Sequence, residues 1–255
     1  MRQTGCMTCF LILTVQIVCD TLDPDSWPAK LGNYPERLQI MNEQMNGSTP
    51  GIFIAIEGID GSGKSTQAKR LASRLVAHGI RCYETREPTD SPIGSLIRQM
   101  LTGRIVADNR VIASLFIADR IDHLLNKTDG ILDTIHKGVS VITDRYYFSS
   151  YAYNGVDIDM DWVIRGNAIS AGILRPTLTV FLDIPVNTAL ERINRERFYT
   201  ELFETEERLL AVRSKYFEAF EKLKDVENVA VVDADADVDV VGERVWETVS
   251  GLFGI

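Results

Sequence analysis

Eight residues restrict this chain more than any others. Gly58-Ile-Asp-Gly-Ser-Gly-Lys-Ser65 fits the pattern G-x-x-x-x-G-K-[ST] with nothing missing. Before it, Ile52 to Ile56 is a continuous apolar run, as in a strand buried on both faces. After it, Lys64 to His78 reads as a helix with Leu71, Leu75 and Val76 on one face. The loop therefore joins a core strand to a helix N-terminus, where backbone N–H groups and the positive end of the helix dipole converge on phosphate. Gly58, Gly61 and Gly63 supply positive φ and close backbone approach. Lys64 can reach the β- and γ-phosphates and Ser65 can hold Mg²⁺. Ile59, Asp60, Ser62 and Thr66 complete the nucleotide-binding run.

The 255 residues suffice for one large α/β domain or two small ones, and 45% hydrophobic with 25% charged residues is ordinary for a soluble protein. A formal net charge of −9 argues against a general nucleic-acid binder, whose footprint is basic. No apolar run reaches the roughly 18 residues of a membrane span. Cys6, Cys9 and Cys19 lie in the first twenty residues and Cys82 in the part that reads as folded. That is no disulfide framework and fits a reducing, cytoplasmic setting. Cys6-x-x-Cys9 lacks the partner pair of a zinc site.

Residues 1–49 do not share the pattern of the remaining chain. Cys9 to Cys19 is apolar apart from Thr14 and Gln16, but the basic start and small-residue cleavage site of a signal peptide are missing. The segment reads as an added N-terminal extension or a misassigned start, with Met41 and Met45 as alternative starts. From residue 50 to 255, strand and helix patterns alternate. Strands are expected at Ile80–Thr85, Val139–Thr143, Thr177–Asp183 and Val229–Val232. Helices are expected at Pro92–Leu101, Asn109–Leu125, Trp162–Ile173, Asn187–Asn194, Glu204–Leu223 and Val238–Leu252. With the first strand this makes a five-stranded parallel sheet, helices on both faces, right-handed crossovers and ligands beyond the carboxyl ends of the strands.

Asp144 ends an apolar strand, where a carboxylate can face the phosphate loop and position Mg²⁺ through water. Arg145 beside it can neutralise a substrate phosphate. Arg86 and Arg98 also sit at element ends. Phe116 and Arg120 are i, i+4 on one helix face, so a ring and a guanidinium can meet one ligand. By itself that spacing more often means core plus surface. Glu191 to Arg197 clusters Arg192, Arg195 and Arg197, which could clamp a transferring phosphoryl group or form a solvated helix face. A rival reading is a GTP-binding switch, since Asn126-Lys127-Thr128-Asp129 spells N-K-x-D. No apolar strand precedes it, however, and no strand-linked D-x-x-G lies upstream.

From Gly51 onward the chain resembles the thymidylate kinase family, in a form most like archaeal and bacterial members. The resemblance rests on Phe53 to Thr66 with Glu57 included, Thr85-Arg86-Glu87-Pro88, Leu115-Phe116-Ile-Ala-Asp-Arg120, and Asp144-Arg145-Tyr146 through Gly155. It implies a P-loop NTPase fold with a short helical lid, ATP and dTMP as substrates, Mg²⁺ as cofactor, and a homodimer. It implies that Asp60 binds the deoxyribose 3′-hydroxyl, that Arg86, Arg98 and Arg145 surround the monophosphate, and that Phe116 stacks on thymine while Arg120 donates to its O4. Ser150 and Asn154 would line the base and phosphate pocket, Tyr153 would crowd the 2′ position, and Arg192 would lie against adenine. On that steric view phenylalanine would serve at position 153. Lys64, Asp144 and the lid residues Arg195 and Arg197 would be catalytic. Gly61 departs from relatives with an arginine in the phosphate loop, which moves the catalytic charge to the lid. Asn154 stands where many bacterial members have glutamine. Acceptors other than dTMP, such as dUMP, UMP or a nucleoside, stay open at this point.

Overall fold

β1 (Phe53–Glu57) is the middle strand of the sheet, and every residue in it is buried. The computed structural model describes residues 49–196 and 205–255. Expectations about Cys6, Cys9, Cys19, Met41, Met45 and Arg197 lie outside the described residues, as does the lid segment 197–204. Around β1 the order is β2 (Cys82–Arg86), β3 (Ser140–Asp144), β1, β4 (Leu178–Asp183), β5 (Val229–Asp233), with every pairing parallel. The three inner strands are buried along nearly their whole length because both of their faces are covered.

α1 (Lys64–Ala77) and α9 (Val238–Val249) pack together on one side. α1 buries Ala68, Leu71, Ala72 and Leu75, whereas Val76 is exposed, one step off that stripe. α2 (Pro92–Leu101), α3 (Asn109–Leu125) and the short α4 (Ile131–His136) lie between β2 and β3. α5 (Tyr147–Asn154) and α6 (Met160–Ile173) link β3 to β4, and α7 (Val186–Glu196) and α8 (Glu206–Leu223) link β4 to β5. α8 packs on α5. A 3-10 turn, Ser250–Phe253, ends the last helix three residues earlier than expected.

Among the described residues five N-termini carry a side-chain cap: Ser91 before α2, Asp108 before α3, Asp159 before α6, Thr205 before α8 and Asp237 before α9. The N-terminus of α1 is different. Its N-cap is Gly63 in the left-handed region, with no side-chain cap, so the first N–H groups of the helix stay available. Among the described residues no helix is long and apolar enough to cross a membrane.

Candidate active site

Parallel pairing puts Glu57, Asp144 and Arg86 at the same end of the sheet, with Ile56 opposite Asp144 and Asp144 opposite Arg86. A cavity of about 880 Å³ opens there. The phosphate loop from Asp60 to Thr66 forms one wall, and Arg86, Arg98, Phe116, Arg145, Ser150, Tyr153 and Asn154 form another. Arg192 and Arg195 line it as well, with Ala236, Asp237, Val238 and Val241.

The loop holds its shape through its own bonds. Gly58, Gly61 and Gly63 all have positive φ. Lys64 Nζ donates to the Ile59 carbonyl at 2.7 Å and lies 3.9 Å from Asp60. Burial and then Arg145 lower the Lys64 pKa to about 8, against the opposing pull of Asp60, Asp144 and Glu57. Gly58 and Ile59 shape the loop from behind and do not line the cavity.

Ser65 Oγ donates to Asp144 Oδ2, so its lone pairs point away from that bond. Asp144 Oδ1 is buried without a hydrogen-bond partner among the described residues. A hydroxyl and an unsatisfied carboxylate oxygen beside a phosphate loop suit Mg²⁺, a hard cation that keeps waters and phosphate oxygens as its other ligands. The described residues contain no group of three or more His, Cys, Asp or Glu that would make a protein-only metal cage. Ser62 Oγ and Asn154 Oδ1, also on cavity-lining residues, are likewise buried and unsatisfied. Buried polar atoms left open at a cavity are positions for ligand contacts.

On the other wall Arg145 has a φ of 72°, in the left-handed region, directly after β3. Its guanidinium donates to Asp60 Oδ1, to Ser149 Oγ at 3.1 Å and to the Tyr153 hydroxyl at 3.4 Å, and lies over the Tyr153 ring. The Tyr153 hydroxyl donates to Asp60 Oδ2 at 2.9 Å. Arg98 donates to the Pro88 and Thr89 carbonyls, which orients it across the loop after β2. Arg86 is more exposed and pairs with Asp90 at 3.1 Å. Arg195 is exposed on the last turn of α7 and 3.8 Å from Glu191.

Arg120 is where the structure departs from the sequence expectation. It does not line the cavity but lies fully buried behind it. Its Nε donates to Glu87 Oε2 at 2.8 Å, Nη1 to Asn167 Oδ1, and Nη2 to Ser150 Oγ at 3.1 Å and the Tyr146 carbonyl at 3.2 Å. A buried carboxylate must be paired, and Glu87 draws the guanidinium down while Phe116 one turn earlier faces the cavity. In this structure Arg120 touches the pocket through Ser150. Glu87 also meets His123 Nδ1 at 3.2 Å. The N-K-x-D run sits at the end of α3, where Asn126 is the C-cap and its Oδ1 accepts from Thr128 N–H at 2.9 Å. It turns the chain out of a helix, with no strand before it.

Sequence reasoning leaves Glu87, Asp119 and Ser149 without roles. Asp119 is fully buried and accepts from Thr89 N–H, Thr89 Oγ1 and Ser91 Oγ, so it ties the loop after β2 to α3. It shares the buried face of α3 with Arg120 and His123, so no period in the sequence marks it out.

The sequence model of the thymidylate kinase family matches residues 56–245, which span the phosphate loop, both cavity walls and all five strands from the end of β1 onward. The chain belongs to the thymidylate kinase family. A protein named "Probable thymidylate kinase" from Thermococcus gammatolerans is 38% identical over 213 residues, 79% of this chain and 100% of the relative. One of the same name from Pyrococcus horikoshii is 38% identical over 194 residues, 74% of this chain and 92% of the relative. A bacterial "Thymidylate kinase" from Afipia carboxidovorans is 37% identical over 206 residues, 78% of this chain and 88% of the relative. For a thymidylate kinase family member the five parallel strands and their helical layers are the P-loop NTPase fold expected from sequence.

Proposed function

We propose that the chain is a dTMP kinase that transfers the γ-phosphoryl group of ATP to the 5′-phosphate of dTMP, giving dTDP and ADP. The observation that carries this reading is one cavity with two ends. The phosphate loop and the bare N-terminus of α1 face one part, and the Arg145–Asp60–Tyr153 cluster with Phe116 and Asn154 faces the other.

Each residue then has a task. The loop amides and Lys64 hold the ATP phosphates, and Arg192 lies beside the adenine with Ala236, Val238 and Val241. Arg145, Arg98 and Arg86 hold the acceptor phosphate, Asp60 the 3′-hydroxyl, Phe116 the thymine face, and Ser150 and Asn154 its polar edge. The Tyr153 ring fills the 2′ side. Ser65 and Asp144 would hold Mg²⁺, which would neutralise phosphate charge. An oxygen of the acceptor phosphate attacks the γ-phosphorus, the bond to the β–γ bridging oxygen breaks, and ADP leaves. The acceptor is already ionised at pH 7, so no side chain needs to take a proton. Positioning and positive charge from Lys64 and the lid arginines Arg195 and Arg197 supply the acceleration.

We also propose a cytoplasmic homodimer, with no nucleic-acid or membrane partner and with residues 1–49 as an extension outside the catalytic domain. α3 and α6 pack side by side next to the cavity. On α6, Trp162 and Ile169 are seven residues apart, hence on one face, and both are exposed. Sedimentation at micromolar concentration checks the dimer; a monomer overturns it. The activity is tested by an ADP-release screen over all nucleoside monophosphates with ATP, with and without Mg²⁺. Fastest turnover on dTMP, abolished by chelation, is expected. Fastest turnover on a purine nucleotide overturns the assignment, and fastest turnover on dUMP or UMP overturns the 5-methyl preference.

A further inference from the structure

Glu57 ends β1 with a fully buried carboxylate that does not line the cavity. Four donors converge on it from two other elements. Oε1 accepts the Tyr146 N–H at 2.8 Å and the Ser149 N–H at 3.1 Å. Oε2 accepts the Ser149 hydroxyl at 2.6 Å and the Tyr216 hydroxyl at 2.8 Å. Burial raises the Glu57 pKa above its ordinary value, against the opposing pull of the bonds from Ser149 and Tyr146, the charge of Arg145 and the bond from Tyr216. Carboxylates are rarely held in such a place unless every lone pair is used.

The two backbone donors are the N-cap and third residue of α5, a helix whose N-cap residue, Tyr146, offers no side-chain cap. Glu57 therefore caps α5 from a different element, and its charge sits at the positive end of that helix. The Ser149 hydroxyl that donates to Glu57 also accepts from Arg145 Nη1 at 3.1 Å. The Arg145 N–H itself donates to the Ile56 carbonyl, one residue before Glu57. A continuous polar chain thus runs from Glu57 through Ser149 to Arg145 and on to Asp60 and Tyr153.

We infer that Glu57 is a positioning residue for the acceptor nucleotide: its carboxylate sets the N-terminus of α5 and, through Ser149, the guanidinium of Arg145, so that both meet the monophosphate in register with the phosphate loop. The inference rests on the kinase reading above. It assigns the effect to one half of the cavity, although Glu57 is joined in sequence to the loop of the other half.

Glu57→Gln is the decisive variant, because the amide keeps the shape. Its carbonyl can still face the two N–H groups, which cannot turn. Its NH₂ then faces Ser149 Oγ, which already accepts from Arg145, and the negative charge is gone. The expected result is a rise of about tenfold or more in the KM for dTMP and a fall in kcat, with the KM for ATP within about twofold of wild type. Tyr216→Phe removes one donor and leaves the link to Arg145, so the acceptor KM should move by less than about threefold. Ser149→Ala cuts the link and keeps both backbone caps, so it should reproduce most of the Glu57→Gln effect on dTMP.

A lowered melting temperature with both KM values and kcat like wild type overturns the inference and leaves Glu57 a structural residue. An equal rise in both KM values also overturns it, because the effect would then run through the loop. If Glu57→Gln yields no folded protein, Ser149→Ala decides: a raised acceptor KM alone supports the link, and wild-type kinetics overturns it. Failure of the kinase reading is distinguishable from all of these. It would appear in the wild-type acceptor screen, and the same split can be measured with whichever monophosphate proves active.

Discussion

Gly61 has a φ of 79°, and a Cβ placed on it would lie 2.4 Å from the carbonyl oxygen of Ala189, a backbone atom of α7. Any side chain there, arginine included, requires the helix to move. An arginine at this loop position is therefore excluded without that movement, while Arg195 lines the cavity from α7. Gly63 makes a useful control. Its φ is 90°, but nothing lies within 4 Å of an added Cβ. Gly63→Ala should cost about 1–2 kcal/mol of stability from backbone strain alone. Gly61→Ala should cost clearly more in the same urea titration, and equal losses would mean that α7 yields freely. Tyr153 is a second residue whose surroundings change an expectation. On steric grounds phenylalanine is an adequate substitute, yet the hydroxyl donates to Asp60, which also receives Arg145. Losing one such bond is worth about 1 kcal/mol. Tyr153→Phe should therefore raise the KM for dTMP by about fivefold and keep discrimination against the ribonucleotide. Tyr153→Ala should lose that discrimination. Steady-state kinetics with dTMP and its ribose form separate the two, and an unchanged KM in the phenylalanine variant would return the role to the ring alone.

The elements flanking the cavity are held by side chains that reach across to neighbouring loops, and α7 is the plainest case. Arg192 Nη2 donates to the Ala234 and Ala236 carbonyls at 3.1 Å each, which ties α7 to the loop between β5 and α9. Ala236 and Val238 of that region line the cavity with Arg192. Arg192→Ala should free the loop and raise the KM for ATP by about tenfold, from two bonds of about 1 kcal/mol that are only half-buried, and leave the KM for dTMP unchanged. Equal changes in both constants would deny a donor-side role. The same scale explains what can be read from sequence. α2 and α3 have the expected bounds because each has a clear start, Ser91-Pro92 and Asp108-Asn109, before an apolar period. The strands are shifted by at most two residues at either end. α5 is absent from the sequence expectation. Its sequence, Tyr147 to Asn154, is aromatic on several sides and buried at every position but Tyr153, so no face remains polar and no period of 3.6 emerges. α4 has only six residues and escapes the same pattern for that reason. In the site, the motif residues are legible from their order along the chain: Lys64 and Ser65 open α1, Asp144 and Arg145 close β3, and Phe116 sits within α3. The buried partners Glu87, Asn167 and Ser149 are not, because nothing along the chain announces which acid, amide or hydroxyl will face Arg120 or Arg145 in the folded core.

For the whole molecule, charge and extent point the same way. The chain carries a net charge of −9, yet its cavity wall gathers Lys64, Arg86, Arg98, Arg145, Arg192 and Arg195. Positive potential is focused where phosphates enter while the surface as a whole repels polyanions. All of this machinery lies after residue 50. The match to the family starts at residue 56, and 79% of the chain suffices to cover a full-length relative. The chain just before β1 is tied down locally: Gly51 N–H donates to the Ile135 carbonyl at 2.9 Å and Ile52 N–H to Ser140 Oγ at 3.0 Å. β1 is then paired on both sides, with β3 and β4. A chain that begins at Gly47, where the compact catalytic unit starts, keeps every one of these bonds. Such a truncated protein should unfold at the same midpoint as the full chain and phosphorylate dTMP with a kcat/KM within about twofold of it. Thermal melts and initial rates on the two proteins side by side check this. A lower midpoint would assign residues 1–46 a part in stability, and an unchanged midpoint with lost turnover would assign them a part in the reaction; either result would overturn the reading of the segment as an extension outside the catalytic domain.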